Sequence, residues 1–250
     1  MRQYLIICPL LFLAGFIDAI AGGGGLISLP ACMLAGLPAH QAIGTNKLSS
    51  LMGEGVSTFE YARSGYVHWK RALLGAVIAV ITSTIGAKLA LQVSDKSFQI
   101  IMLILLPLIA VYVLRSKTLK ESKETYSNAK TAALYLIIAT VVGIYGGFYG
   151  PGTGTFLLLL LLGVAHVSLQ EAAGTTKVIS LIVDLMSILV FSQEGQVRIT
   201  LGITAGIFSM AGNYVGVRFF KKKGVKFVKP LICIVLTIFF IKIIYEIFVV

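Results

Sequence analysis

Charge is scarce in this sequence, and negative charge is scarcest: ten of 250 residues are aspartate or glutamate, and charged residues of both signs make up 12%. Soluble domains carry about 25% charged residues, so a water-facing globular enzyme is excluded. Cysteine is equally sparse. Cys8, Cys32 and Cys233 stand apart in apolar runs, which excludes a disulfide framework or a cysteine zinc site. The histidines His40, His68 and His166 have no partners at metal-ligand spacing, so no metal is expected. No Gly-x-x-x-x-Gly-Lys-Ser/Thr loop and no Gly-x-Ser-x-Gly turn occurs, so no cofactor is expected and the chain does not read as an enzyme.

What is present is apolar length. Hydrophobic residues make up 57% of the chain and lie in blocks such as "RALLGAVIAVITSTIGAKLALQ" and "KPLICIVLTIFFIKIIYEIFVV". Each block reaches the ~20 residues that a helix needs to cross a bilayer. The fold class is therefore an all-α polytopic membrane protein. The segment 4–21 reads as a retained helix rather than a cleaved signal, because its basic start is Arg2 alone and its glycines continue into apolar sequence. The net charge of +11 reflects basic cytoplasmic loops and implies lipid rather than nucleic acid as partner.

The chain aligns with itself at an offset of 130. "GTNKLSSLMGEGVS" (44–57) falls on "GTTKVISLIVDLMS" (174–187) with six identities in fourteen positions, and Glu54 falls on Asp184. Gly24 meets Gly154, Gly65 meets Gly195 and Gly86 meets Gly216. Such internal repeats are common in transporters. Residues 1–114 form the first repeat, 115–130 a basic linker and 131–250 the second repeat. Each repeat reads as five apolar segments: 4–21, 26–37, 41–62, 71–91 and 98–114, then 131–149, 154–166, 170–192, 199–219 and 229–249. The loop 63–71 is basic where its partner 193–198 is nearly balanced, and 218–229 is basic where 88–99 is weakly charged. That asymmetry predicts inverted repeats with both termini outside. A glycine-linked hairpin in place of two crossings satisfies the same parity.

"AGGGGLISLP" (21–30) and "YGPGTGTFLL" (149–158) break the apolar pattern at matching places. Irregular backbone survives in a membrane only where protein shields it or it lines a wet cavity. Each break precedes a short segment of about half a bilayer. The expected half-helices start near Leu26 and Thr155, meet near the midplane, and point unpaired N–H groups at an anion. Candidate ligands are Gly22, Gly23, Gly24 and Gly25, with Gly152, Thr153, Gly154 and Thr155. By contrast Gly202, Gly206, Gly212 and Gly216, spaced near four, read as helix-packing residues.

The third segment of each repeat carries ionisable residues, which are expensive in membrane helices and usually line a pathway. Lys47, Ser50, Glu54, Ser57 and Tyr61 share a face, as do Lys177, Ser180, Asp184, Ser187 and Phe191. Seven residues separate lysine from carboxylate, about 10.5 Å along the axis. They cannot pair within one helix, which leaves Lys47 and Lys177 for an anion and Glu54 and Asp184 as candidate proton carriers. Asp18, beside the first glycine run and without an acidic counterpart, reads as a brace for that loop or as a third proton carrier. Lys88 and Arg218 snorkel at helix ends, and Trp69 anchors at the interface.

"GFIDAIAGGGGLISLPACMLAGLPAHQAIGTNKLSS" and "GIYGGFYGPGTGTFLLLLLLGVAHVSLQEAAGTTK" resemble the signature regions of the TauE/SafE family, the sulfite exporter or toluene-sulfonate uptake permeases, over nearly the whole chain. The resemblance implies a bacterial inner-membrane transporter of sulfite, sulfonates or related organosulfur anions. It points to Gly22 to Gly25 with Thr45, Asn46 and Lys47, and to Gly152, Gly154, Thr175, Thr176 and Lys177. Asn46 is replaced by Thr176 and Pro30 by Leu160, so an asymmetric pocket is expected. The function expected is secondary transport of a small sulfur-containing anion by alternating access, with proton coupling as an option. An anion channel is the alternative, and an intramembrane enzyme a more distant one. Neither transport direction nor a choice between monomer and homodimer is legible.

Overall fold

The computed structural model describes residues 2–94, 96–97, 100–101, 104 and 126–223. The expected segments 98–114 and 229–249 and most of the linker fall largely or wholly outside the described residues.

Among the described residues every regular element is a helix: α1 (Arg2–Ala21), α2 (Gly25–Leu34), α3 (Ala39–Arg63), α4 (Trp69–Gln92), α5 (Asn128–Phe148), α6 (Thr153–Gly163), α7 (Leu169–Gln193) and α8 (Ile199–Lys223). An apolar solvent offers the backbone no hydrogen bonds, so the helix, which satisfies its own, is the form these runs adopt. Three of them, α4, α5 and α7, are long and apolar enough to cross a membrane. The two short helices, α2 and α6, have 10 and 11 residues. At about 1.5 Å per residue they reach about half of a ~30 Å hydrocarbon core.

Matching residues end matching helices. Gly65 and Gly195 take left-handed backbone (φ 74° and 65°) after α3 and α7. The following N–H reaches back to close the last turn, Tyr66 to the Tyr61 carbonyl at 3.1 Å and Gln196 to Phe191 at 2.9 Å. This is the geometry that a glycine just past a helix end permits.

The sequence halves are not the packing units. Helix α4 packs on α5 and α7, and α8 packs on α1 and α3, so each half lends its fourth helix to the other. Small residues allow the close approach. A Cβ on Gly86 of α4 would meet the Ile144 carbonyl oxygen of α5 at 2.1 Å, and one on Gly212 of α8 would meet that of Phe12 in α1 at 2.0 Å. Gly202, Gly206 and Gly216 likewise abut Leu48, Met52 and Phe16, so these four glycines pack helices as their spacing predicts. The opposite face of α4 turns Leu73, Val77, Ile81, Ile85 and Leu89 outward. Branched apolar residues outside and Ala72, Ala76, Ala79 and Ala87 inside are the arrangement expected where lipid is the solvent.

Candidate functional site

The glycine breaks are short, and each is shaped by one or two residues. Helix α1 runs to Ala21, Gly22 turns at φ 69°, and α2 has begun by Gly25. In the second half Gly150 and Gly152 turn at φ 96° and 83° and α6 begins at Thr153. The two breaks meet. The Thr155 N–H donates to the Gly22 carbonyl at 3.1 Å, and the Thr155 hydroxyl donates to the Ala21 carbonyl at 2.9 Å. A Cβ on Gly25 would lie 2.9 Å from Pro151 Cα, so the contact admits little beyond backbone. This corrects the expectation of unpaired N–H groups at Thr155 and Leu26. Thr155 uses its amide to join the two breaks, and the Leu26 N–H bonds the Gly23 carbonyl.

Asp18 braces the first break: its side chain accepts from the Gly24 N–H at 3.4 Å and its carbonyl from Gly22 at 2.8 Å. It also reaches across the molecule. The Lys177 Nζ donates to Asp18 Oδ2 at 2.5 Å. Lys47 makes the corresponding reach, donating to Asp184 Oδ1 at 2.6 Å and to the Gly146 carbonyl at 2.8 Å. Both lysines are almost wholly buried. The expectation that seven-residue spacing leaves them unpaired is therefore corrected: each finds its carboxylate on a helix of the other half, where spacing along one helix says nothing.

Glu54 lies buried beside these pairs, and its Oε2 makes no hydrogen bond with the protein. Buried Asn46 Oδ1, Thr176 Oγ1 and Ser180 Oγ also make none. Three carboxylates and two ammonium groups thus share one buried cluster.

A cavity of about 20 Å³ lies here, lined by Asp18, Asn46, Lys47, Glu54, Thr153 and Asp184 together with Gly22, Gly25, Gly152 and Gly154 of the breaks. About 10–15 Å³ accommodates one water, so this conformation has no room for a multi-atom oxyanion. Ser50, Ser180 and Gly150 also line it. The two serines stand on the lysine faces at helical spacing, which was the signal that could have assigned them to the site.

Other expected site residues do different work. The Thr45 hydroxyl accepts the Arg198 N–H at 3.0 Å, and a Cβ on Gly44 would meet the Gln196 carbonyl oxygen at 2.2 Å. Gly174 abuts Tyr66 in the same manner. Gly44 with Thr45, and Gly174, therefore seat the connecting loop of the other half. Gly23, Gly24, Thr45, Thr155, Thr175 and Thr176 do not line the cavity, and Lys177 joins it through Asp18.

The two ends of the bundle differ. At one, a cavity of about 690 Å³ is lined by Gly36, Pro38, Gln41, Arg198, Thr200 and Leu201, among others. At the other, Arg71 pairs with Glu171 at 2.8 Å, the Tyr135 hydroxyl donates to the same oxygen at 2.9 Å, and Arg71 donates to Asn128 at 2.9 Å. Gln41 and Leu201 are the residues that the offset of 130 places on Glu171 and Arg71.

Broken helices that meet beside a buried, ion-paired cluster, in a bundle faced with apolar residues, define a membrane transporter. The chain belongs to the sulfite exporter TauE/SafE family, whose profile matches residues 7–243. It is 36% identical over 224 residues to a probable membrane transporter protein, ORF9, of Sinorhizobium sp, covering 90% of this chain and 85% of that protein. It is 31% identical to the probable membrane transporter protein YfcA of Escherichia coli K12, covering 94% and 87%. A probable membrane transporter protein of Haemophilus influenzae is 28% identical, covering 94% and 92%. No solved structure matches the chain.

Proposed function

We propose that this protein is a secondary transporter that carries sulfite, a sulfonate or a related organosulfur anion across the bacterial inner membrane by alternating access between two inverted repeats. The observation that carries the reading is the pair of buried lysines, Lys47 and Lys177, each neutralised by a carboxylate from the other half. An oxyanion offers the same oxygen acceptors as Asp184 and Asp18 and can take their place on the ammonium groups. The family's description supplies the sulfur-containing class. A site of only about 20 Å³ favours a carrier that must rearrange over a channel with a standing passage.

The test is calorimetric binding of sulfite, methanesulfonate and size-matched carboxylates to detergent-purified protein. The Lys47→Gln/Asp184→Asn double variant removes both charges of one pair and leaves neither ion uncompensated. Preferential binding of the sulfur anions, weakened at least tenfold in this variant, is expected. Equal binding by the variant would remove Lys47 from the site.

The unequal ends support an outward-facing state, with the 690 Å³ vestibule on the external side and the Arg71–Glu171 pair closing the cytoplasmic side. Glu171→Gln weakens that closure. A cysteine placed at Thr175, in a background with Cys8, Cys32 and Cys233 replaced by serine, should then react several times faster with a cytoplasmic-side maleimide. Unchanged reactivity would deny the pair a gating role.

A further inference from the structure

The offset of 130 sets Lys47 on Lys177 and Glu54 on Asp184. A symmetric molecule would therefore join Lys47 to Asp184 and Lys177 to Glu54. The first pair forms at 2.6 Å. The second does not, because Asp18, which stands where the second half has Phe148, takes Lys177 at 2.5 Å. Glu54 is thereby displaced from its counterpart's role. It is only 5% exposed and borders the cavity, with one carboxyl oxygen unpartnered.

The titratable groups facing Glu54 are Asp18 from α1, Lys47 from its own helix, and Lys177 and Asp184 from α7. Helix α8 adds only the neutral Ser209 and Asn213 beside Gly53. Each lysine is already matched to an aspartate, so an ionised Glu54 would hold an unmatched negative charge where there is space for about one water. Burying an unpaired carboxylate is strongly unfavourable, and such a group takes a proton instead. A metal ion is the other way to neutralise it, but no three metal-ligating side chains among the described residues are placed to hold one, and Asp18 and Asp184 are already taken by the lysines.

We infer that Glu54 is a proton-binding site, occupied in this conformation, whose proton is bound cooperatively with the transported anion. The proton site stands on the geometry alone; the cooperativity rests on the transport reading above. An anion on Lys47 and Lys177 adds negative charge beside Glu54 and tightens its hold on the proton. By reciprocity the proton tightens the hold on the anion. Movement of the loaded form then carries a proton in the same direction as the anion.

The test starts with infrared spectroscopy of the purified protein at neutral pH. A protonated-carboxyl carbonyl band is expected, shifted by ¹³C-carboxyl labelling of glutamate and absent in Glu54→Gln. The labelling alone decides the matter if the variant folds poorly. No such band, or one that ignores glutamate labelling, overturns the proton site. The second measurement is sulfite and methanesulfonate affinity against pH. In the wild type it should fall about tenfold per pH unit once the site begins to empty; in Glu54→Gln that of methanesulfonate, which unlike sulfite does not itself titrate near neutrality, should stay flat. An unaltered pH dependence in the variant overturns the cooperativity. A glutamate band together with no binding of either anion would leave the proton site standing, overturn the cooperativity and sink the transport reading.

Discussion

Lys47→Ala should destabilise the protein by about 3–5 kcal/mol, the cost of removing one member of a buried ion pair. The loss does not come from a large net attraction in the pair. It comes from what remains: Asp184, with a side chain 10% exposed, is left without its cation and must either stay charged in a dry cluster or take up a proton, and the Gly146 carbonyl loses its donor. Asp184→Ala should cost a similar amount by stranding the ammonium group. The double variant Lys47→Met/Asp184→Leu removes both charges and should recover most of the loss, since apolar replacement of a buried pair is often neutral. Lys221→Ala is the internal comparison. That pair, at 3.1 Å with 28% of the lysine side chain exposed, should be worth less than about 1 kcal/mol. Denaturant titration in detergent separates the cases. Equal effects at Lys47 and Lys221 would show that the central cluster is wet.

Gly22→Ala is the second large effect. The new Cβ would stand 2.2 Å from the Gly154 carbonyl carbon and 2.6 Å from the Thr155 nitrogen, both backbone atoms. No rotamer relieves such a contact, so the two breaks must separate and lose the Thr155–Gly22 hydrogen bond. The left-handed φ adds about 1–2 kcal/mol, and overpacking about 1–3 kcal/mol more. Gly65→Ala isolates the first contribution, because Gly65 has φ 74° with nothing within 4 Å of its Cβ. The melting temperature of Gly22→Ala should fall well below that of Gly65→Ala. Matching values would mean that the breaks do not rely on close contact.

Much of this was legible in the sequence, and particular residues show where legibility ended. The breaks at 22–25 and 150–154, the short helices after them and the packing glycines of α8 all follow from local pattern, although α6 begins at Thr153 rather than near Thr155. Glycine runs and helical spacing are properties of neighbouring residues. The partners of the two lysines are not: 137 residues separate Lys47 from Asp184, and 159 separate Lys177 from Asp18. Reading the lysine and carboxylate of one helix as mutually out of reach was sound physics, but it left out the other helices. Thr45 shows the converse. It sits two residues from Lys47, yet one turn of a helix holds several faces, and its own face meets the loop at Arg198. Proximity in sequence placed it with the wrong neighbours.

The exchange of α4 and α8 between the halves bears on how the molecule is made. Helix α8 completes the packing of α1 and α3, yet it leaves the ribosome after all the other described helices. Until then Gly53 on α3 and Gly15 on α1 face lipid instead of Ser209 and Asn213. Helix α4 likewise waits for α5 and α7 before its alanine face has a partner. The nascent chain therefore passes through most of its synthesis with small-residue grooves uncovered. Chains that terminate before α8 retain an unfinished first half, in which α1 and α3 lack a helix that both pack against.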